Sequence, residues 1–467
     1  MNNVVEIPVW LLVIGGLLAA IGILDRLLMP SVRWYLRRRL NRVIDSLNDR
    51  LQLSIQPFKL TRRKVMIDRL THDPRVMGAI AAYAKSENMP PEVAAKMAER
   101  YAREIVPSFS ASAYFGFAIR ASKFLATAMY RVRIGFSDDD ALRNVDPDST
   151  VIFVMNHRSN MDYVLVTYLV AERSALSYAV GEWARVWPLQ QLIRAMGGYF
   201  IRRKSRNQLY RKVLARYVQL ATEAGVTQAI FPEGRLSRDG LLGEPKLGLL
   251  SYILGDFNPE TSRNVVFIPV GLNYDRVLED RVLTAPTIDG KRKFRFQPSA
   301  FLRFMARQMW LRITGKFYRN GYACVSFGHP ISLTEFMETH PRAEMTEVIE
   351  SLGAELMTRI GHVVPVLPVS LVSTVLLKAN RPINMLELKS RCHQTWQDLS
   401  ARGIYSHVPH EDEDYAVEVG LRMLTLRHMV IEADGKFALA PEHTHIVQYY
   451  ANAIAHHFAD DQQATTT

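Results

Sequence analysis

The sequence is poor in cysteine and lacks the common nucleotide-binding motifs. Cys324 and Cys392 are the only cysteines among 467 residues, and they lie far apart. This excludes a disulfide framework and a cysteine-based zinc site, and it favours a reducing compartment. Walker A, G-x-G-x-x-G and G-x-S-x-G motifs are all absent. The sequence therefore supports neither nucleotide-driven chemistry nor a serine nucleophile on such an elbow.

Low-complexity sequence is almost absent too, because only the terminal QQATTT is repetitive. The composition, 48% hydrophobic and 10% aromatic, is typical of an ordered globular protein, and the length allows about three domains. The formal charge is +12, from 58 basic and 46 acidic residues. This excess favours an anionic partner, which could be nucleic acid, anionic lipid or a phosphorylated substrate.

One apolar run near the start is long enough to cross a membrane. Residues 7–24 (IPVWLLVIGGLLAAIGIL) carry no charge, and as a helix they would reach about 27 Å, against a hydrocarbon core of roughly 30 Å. The leader before the run has no Lys or Arg, whereas arginines follow it. This pattern favours a retained anchor over residues 1–30, with the rest of the chain on the cytoplasmic side. A re-entrant or interfacial helix is the alternative, because three glycines weaken the run.

The next segment is predicted to lie on the membrane surface. Basic residues alternate with apolar ones over residues 25–53, a pattern typical of helices that bind anionic lipid headgroups. Nucleic-acid binding is disfavoured because the arginines flank the apolar run. The pattern over residues 60 to about 108 predicts helices that are rather polar. We therefore predict a basic amphipathic and helical N-terminal region over residues 31–109.

The middle of the chain alternates short β-rich runs with helices. A helix over 110–133 precedes them. The predicted strands are residues 151–156, 176–181, 198–203, 228–234, 265–274 and 323–331. This alternation predicts an α/β domain over residues 110–340, with a central, mostly parallel sheet and flanking helices. Beyond about 340 the pattern is again helical, which gives a helical C-terminal region over residues 341–467.

Polar clusters follow four of these strands: NHRSNMD, RRKSR, PEGRLSRDG and LNYDR. Ligands of open α/β sheets bind beyond the carboxyl ends of the strands. Because four clusters occupy such positions, they are the candidates for a common site.

His157 and Asp162 in the first cluster are candidates for an acid–base pair. On one continuous helix they would point about 140° apart and could not meet. They can meet if His157 lies in the strand-to-helix turn and Asp162 in the first helical turn. The carboxylate would then accept the imidazole Nδ1–H, and His157 would act as general base on a substrate hydroxyl. The alternative is helix capping by Ser159, Asn160 and Asp162 with an incidental histidine.

The second and third clusters carry candidates for phosphate binding, since guanidinium groups suit a phosphate and glycine permits close approach. The alternative for the second cluster is a solvated basic turn. Glu233 could accept hydrogen bonds from substrate hydroxyls or orient an arginine. The candidates for binding phosphate or glycerol are Arg158, Arg203, Lys204, Glu233, Gly234, Arg235, Ser237 and Arg238. Pro269, near the fourth cluster, is predicted to form a wall for an acyl or hydroxyl group.

The order H-x-x-x-x-D, G-x-F-I-R-R, F-P-E-G-x-x-S-R and I-P-V resembles the four blocks of the glycerolipid acyltransferases. NHRSNMDYVL, GGYFIRRKS and FPEGRLSRDG are most similar to the membrane-bound bacterial glycerol-3-phosphate acyltransferases, whose branch includes dihydroxyacetone-phosphate relatives. The resemblance covers roughly residues 110–458. It implies the acyltransferase α/β fold and a location at the cytoplasmic face of the inner (plasma) membrane.

The resemblance also implies residue roles. His157 matches the catalytic base and Asp162 its partner, while Arg203, Glu233 and Gly234 match positions associated with glycerol 3-phosphate. Ser237 matches the third-block serine. Where many members have Arg immediately before that serine, this chain has Leu236, with Arg235 one position earlier. Backbone N–H groups or Arg158 could stabilise the oxyanion.

The expected function is transfer of a fatty acyl group from acyl-CoA or acyl-carrier protein to the sn-1 hydroxyl of glycerol 3-phosphate. No metal or organic cofactor is expected, and no nucleic-acid partner. The alternatives are acylation of 1-acylglycerol 3-phosphate or of dihydroxyacetone phosphate. More remote ones are a membrane-tethered binding or regulatory protein with a winged-helix-like module, and a metal site at four C-terminal histidines: His443, His445, His456 and His457.

Overall fold

The computed structural model describes most of the chain beyond residue 55. The described residues are 56–170, 175–185, 189–202, 205–285, 310, 320–340 and 343–458. The predicted anchor over 1–30 and the basic segment up to residue 55 lie outside them. In the part that is described, no helix is both long and apolar enough to cross a bilayer.

A mixed but mostly parallel sheet forms the centre of the described chain, with eight strands in the order β1-β7-β6-β2-β5-β3-β4 and β8 beside β6. Its strands are β1 (Arg131–Ser137), β2 (Thr150–Met155), β3 (Ser177–Gly181), β4 (Tyr199–Ile201), β5 (Gln228–Ile230), β6 (Val265–Tyr274), β7 (Tyr322–Phe327) and β8 (Ile331–Ser332). Strands β2 to β6 all run parallel, whereas β7 and β8 run antiparallel to β6. The predicted α/β class with a mostly parallel sheet is confirmed.

The central strands are apolar because both faces of the sheet are covered. Every residue of β2 and of β6 is buried, and such strands read as continuous Val/Ile/Phe runs without alternation. Because β2 to β6 are parallel, the ends of β2, β4, β5 and β6 that the polar clusters follow all lie at one edge of the sheet.

Helices cover the sheet, and the chain has helices before the first strand, between the strands and after the last strand of the sheet. They are α1 (Pro57–Leu60), α2 (Arg63–Thr71), α3 (Pro74–Ser86), α4 (Pro91–Ile105), α5 (Ile119–Met129), α6 (Asp139–Arg143), α7 (Met161–Val170), α8 (Leu189–Ala195), α9 (Gln208–Glu223), α10 (Gly248–Leu254), α11 (Asp280–Thr284), α12 (Leu333–Glu338), α13 (Met345–Val363), α14 (Pro368–Ala379), α15 (Met385–Ala401), α16 (Glu413–Thr425) and α17 (Thr444–Asn452). A π-helical segment, Ser112–Ala118, leads into α5.

One hydrophobic core connects the three predicted regions. It contains Leu70 and Ile105 from the N-terminal helices, Phe267 from β6, and Leu352 and Leu356 from α13. The core therefore crosses the predicted boundaries near 109 and 340, and the N-terminal and C-terminal helices cover the sheet that carries the polar clusters.

Three local predictions were wrong. The helix predicted to end at residue 133 ends at Met129, and β1 follows it; two arginines and a glycine in β1 obscure its alternation. The strands predicted over 198–203 and 228–234 are shorter in the structure, since β4 ends at Ile201 and β5 ends at Ile230, before the FPEG segment. The described C-terminal region also contains a three-stranded antiparallel sheet. Its strands are β9 (Ile383–Asn384), β10 (Val430–Ala433) and β11 (Lys436–Leu439).

Candidate active site

The His–Asp turn, residues 156–162, connects β2 to α7. Asn156 fixes its start, because the Asn156 amide donates to the Leu272 carbonyl at 2.9 Å and accepts the Leu272 N–H at 2.8 Å. The Ser159 hydroxyl accepts the Met161 N–H at 3.1 Å, which caps the start of α7. Helix capping by Ser159 therefore occurs in the structure, and it occurs together with the predicted contact between His157 and Asp162.

His157 and Asp162 meet as their spacing predicts. His157 lies before the helix and Asp162 in its first turn, and Nδ1 lies 2.9 Å from Asp162 Oδ2. The same oxygen accepts the N–H groups of Arg158 at 2.7 Å and Ser159 at 3.0 Å, and Oδ1 accepts the Tyr274 hydroxyl at 2.6 Å. A carboxylate surrounded by donors can only accept from the imidazole, so Nδ1 carries a proton, and in the neutral tautomer Nε2 carries the lone pair.

The imidazole is enclosed by aromatic side chains. His157 is 2% exposed, and its ring centroid lies 4.1 Å from that of Phe231 and 5.6 Å from that of Tyr163. Among the described residues, none forms a hydrogen bond with Nε2. The nitrogen that a general base would use is therefore not occupied by a structural partner.

Glu233 connects the His–Asp turn to the loop between β5 and α10. Its Oε1 accepts the His157 backbone N–H at 2.9 Å, and its Oε2 accepts that of Gly243 at 3.2 Å. Burial raises the pKa of Glu233 to about 7, although the two N–H donors and the charge of Arg158 act in the opposite direction. The adjacent Gly234 has φ +67°, a conformation that L residues with a side chain rarely adopt.

A cavity of about 710 Å³ adjoins Glu233. Cationic side chains line part of it: Arg202, Arg235, Arg238 and Lys246. Gly234 and Phe231 also line it, so Phe231 contacts both the cavity and the imidazole. His157 itself is not among the lining residues that the structure describes. The other predicted cations, Arg203 and Lys204, lie outside the described residues.

The remainder of the cavity is apolar. Its wall combines residues of the sheet, α9, the β5–α10 loop, α10 and α13, including Val154, Leu214, Leu247, Leu250 and Leu356. Gly353 of α13 lines it as well, and a Cβ added there would lie 2.6 Å from Leu247 Cδ2. The cavity thus joins a cationic part to an apolar part, which suits an amphiphilic ligand.

Arg202 is held by the N-terminal region. Glu104 of α4 accepts both Nε–H of Arg202 at 2.7 Å and Nη2–H at 2.6 Å, a bidentate arrangement. The rings of Tyr101 and Tyr210 each lie 5.4 Å from the guanidinium. Glu104 also pairs with Arg185, so its carboxylate holds two guanidinium groups, whereas Arg235 and Arg238 are exposed.

Three predicted binding residues do not line the cavity. The Arg158 guanidinium donates to the Gly240 carbonyl and lies 5.6 Å from the Tyr449 ring. The Ser237 hydroxyl donates to the Leu241 carbonyl at 2.9 Å and accepts the Gly240 N–H at 3.0 Å. Pro269 lies inside β6, with its carbonyl 2.8 Å from the Gly328 nitrogen. The side chains of Arg158 and Ser237 bond to the β5–α10 loop, and Pro269 is part of the sheet.

Several residues of the site were not predicted from the sequence. Tyr274 belongs to the fourth polar cluster, so its position after a buried strand was an available signal. Its neighbour Asp275 is structural, since it accepts the backbone N–H groups of Tyr322 and Val369 at 2.8 and 3.1 Å. Glu104 and Lys246 come from distant or irregular segments, and no sequence pattern marks them.

Two of the four C-terminal histidines, His456 and His457, form hydrogen bonds to backbone carbonyls. His456 Nε2 lies 3.0 Å from the Gly361 carbonyl and His457 Nε2 lies 3.0 Å from that of Val364. Burial lowers the pKa of His456 to about 3 and of His457 to about 4. Across the described ranges, no group of three or more His, Cys, Asp and Glu side chains could hold a metal ion.

Two family models match the chain in adjoining parts. Residues 136–273 match the Acyltransferase model, and residues 309–462 match that of the glycerol-3-phosphate acyltransferase C-terminal region. Together these two matches support the glycerolipid acyltransferase family for this chain. The first match contains the His–Asp turn and Glu233, and the second contains α13 and α17.

Several curated relatives that match the chain are named glycerol-3-phosphate acyltransferase. The protein from Pseudomonas fluorescens (strain SBW25) is 28% identical over 86% of this chain and 49% of its own length. The protein from Xanthomonas campestris pv. campestris is 28% identical over 73% of this chain and 39% of its own length. The protein from Aeromonas hydrophila is 28% identical over 90% of this chain and 53% of its own length. The chain thus spans about half the length, or less, of these relatives.

One solved structure also aligns with the chain. The 1-acyl-sn-glycerophosphate (LPA) acyltransferase from Thermotoga maritima is 19% identical over 64% of this chain and 98% of its own, with a TM-score of 0.28. That score is too low to indicate a shared overall arrangement.

Proposed function

We propose that this protein transfers a fatty acyl group from a thioester to the sn-1 hydroxyl of glycerol 3-phosphate, which gives lysophosphatidic acid. The observation that carries the proposal is the imidazole of His157, oriented by Asp162 at 2.9 Å and joined through Glu233 to a cavity with a cationic and an apolar part. The relatives' name, glycerol-3-phosphate acyltransferase, supports the same substrate.

His157 acts as the base in this reaction. Nε2 removes the proton of the acceptor hydroxyl as its oxygen attacks the thioester carbonyl, and Asp162 stabilises the imidazolium that forms. When the C–S bond breaks, the imidazolium gives the proton to the leaving thiolate. Protons balance without a metal or an organic cofactor, so we propose that none takes part.

The cavity is proposed to hold both substrates. Arg235, Arg238 and Lys246 bind the phosphate, together with Arg203 as the family resemblance implies, while the apolar wall of α10 and α13 contacts the acyl chain. The volume of about 710 Å³ lies within the ~300–1,000 Å³ typical of pockets for drug-sized ligands. The Phe231 ring contacts His157 and also lines the cavity. We therefore expect this ring to shift when the acceptor binds, so that the acceptor hydroxyl can reach His157.

A thioester assay with three acceptors tests the proposal. Purified protein receives acyl-CoA or acyl-carrier protein together with glycerol 3-phosphate, dihydroxyacetone phosphate or 1-acylglycerol 3-phosphate. The expected result is thiol release that depends on glycerol 3-phosphate, with product acylated at the first hydroxyl. Preference for either other acceptor would assign the protein to that alternative, and no thiol release with any acceptor would contradict acyl transfer.

We also propose that the protein works at the cytoplasmic face of the inner membrane. The uncharged run of residues 7–24 and the arginines after it support a single anchor with contacts to anionic lipid. The acyl donor and the product are both amphiphilic, so a membrane location would bring enzyme, donor and product together.

A further inference from the structure

A carboxylate outside the predicted motifs holds the His–Asp turn. Glu279 lies in the loop between β6 and α11, where its Oε2 accepts the Ser159 hydroxyl at 2.8 Å. Its Oε1 accepts the side-chain and backbone N–H groups of Asn160 at 3.0 and 3.3 Å. Ser159 and Asn160 are two of the four residues between His157 and Asp162. Their conformation therefore determines whether the imidazole and the Asp162 carboxylate meet.

The C-terminal region in turn holds the loop that carries Glu279. The Tyr450 hydroxyl of α17 accepts the Val277 N–H at 3.1 Å and donates to the Asp280 carboxylate. The Arg427 guanidinium donates to the same carboxylate and, at 3.0 Å, to the Tyr450 hydroxyl. Asp280 is 3% exposed and Tyr450 1% exposed, so solvent competes little for these bonds. Glu279 lies between Val277 and Asp280, the two residues that these hydrogen bonds fix.

We propose that Glu279 is a positioning residue for the catalytic base, and that α17 keeps it in place through Tyr450. This inference rests on the proposed function. Glu279 is not among the cavity-lining residues and does not contact His157; it acts through Ser159 and Asn160. The cavity's exposed cations lie in the separate β5–α10 loop, so loss of Glu279 should slow the reaction without weakening substrate binding.

Steady-state kinetics on the full chain test the proposal. In Glu279→Ala we expect kcat to fall ~10- to 100-fold, because a small displacement of a catalytic group can cost up to ~10²-fold, while KM for glycerol 3-phosphate changes less than about threefold. Glu279→Gln keeps one acceptor oxygen and should recover most of the loss. Glu260→Ala removes an exposed carboxylate far from this network and should leave kcat unchanged.

Further variants separate positioning from general destabilisation. In a His157→Ala background, Glu279→Ala should cost no additional rate, since residues that act as a unit are not additive. Tyr450→Phe should reproduce the fall in kcat in weaker form even if Glu279→Ala does not fold. A kcat in Glu279→Ala within twofold of wild type, or an equal further loss in the His157→Ala background, would overturn the inference. Inactive wild-type protein would instead refute the proposed function.

Discussion

At the scale of single residues, the orientation of His157 decides the chemistry. Asp162 accepts four hydrogen bonds, from His157, Arg158, Ser159 and Tyr274, so its charge is stabilised although it is fully buried. The imidazole therefore faces a fixed anion on one side, and on the other side no residue in the described ranges bonds to Nε2. This arrangement needs no nucleophilic side chain, because in the proposed reaction the acceptor hydroxyl is the nucleophile.

Replacement of His157 tests the base directly. General-base catalysis contributes typically ~10²–10⁴-fold, so His157→Ala should lower kcat by at least ~10²-fold while the chain remains folded. The matched control is His329→Ala, which removes another His–Asp pair, formed with Asp138 at 2.8 Å on the exposed surface. Both variants are compared by thiol release. Equal activities in the two would contradict the assigned role.

Glu233 should make stability depend on pH. Its pKa rises from the ordinary 4.5 to about 7 in the folded protein, so between these values the folded state holds a proton that the unfolded chain has lost. Stability from this group is thus present at low pH and lost as the pH rises towards 7. Glu233→Gln cannot titrate. Wild type should therefore lose stability from pH 5 to pH 8 that the variant does not lose. The free energy of unfolding of Glu233→Gln minus that of wild type should increase by on the order of 2 kcal/mol over this range.

Urea unfolding of wild type and Glu233→Gln at both pH values measures this difference. Glu244→Gln, an exposed carboxylate in the same loop, serves as the control and should show no such change. A difference between Glu233→Gln and wild type that stays constant with pH would show that the carboxyl does not titrate in this range.

At the scale of elements, the β5–α10 loop supplies the exposed cations of the cavity. If Arg238 binds the substrate phosphate, Arg238→Ala should raise KM for glycerol 3-phosphate by about tenfold, in line with the loss of one charged hydrogen bond of ~1.5–3 kcal/mol. The fall in kcat should be smaller. Arg143→Ala, an exposed arginine on α6, provides the comparison. An unchanged KM in Arg238→Ala would assign phosphate binding to other residues.

Helix α13 should set the length of acyl chain that the cavity accepts. Gly353 lines the cavity, so Gly353→Leu would fill part of it and push against Leu247. We expect kcat/KM for long acyl chains to fall at least ~10-fold relative to short ones. Ala354→Leu adds the same side chain at the next, exposed position and should not alter the preference. Identical chain-length profiles in all three proteins would contradict an acyl pocket at α13.

At the scale of the whole molecule, the sequence predicted the sheet and the His–Asp contact well. Continuous apolar runs reveal buried parallel strands, and a five-residue spacing across a strand-to-helix turn leaves few ways for His157 and Asp162 to meet. The roles of Arg158 and Ser237 were harder to predict, because a motif gives residue types and spacing but does not show which atoms their side chains bond. Glu104, Lys246 and Glu279 could not be predicted, since only the folded chain brings these distant positions to the site.

The proposed membrane attachment also concerns the whole molecule. If residues 7–24 form an anchor, the full-length protein should stay in the membrane pellet after carbonate extraction, which strips proteins held by charge alone. Deletion of residues 1–30 should shift it towards the supernatant while thiol release persists in detergent. Complete extraction of the full-length protein at alkaline pH would contradict the anchor.

The core shared by the N-terminal helices, the sheet and α13 has a consequence for dissection of this protein. A fragment cut near residue 109 or 340 would leave one side of the sheet uncovered, with Phe267 and its neighbours in water. Such fragments should aggregate when expressed alone, yet two complementary halves produced in the same cell could reassemble into a working enzyme.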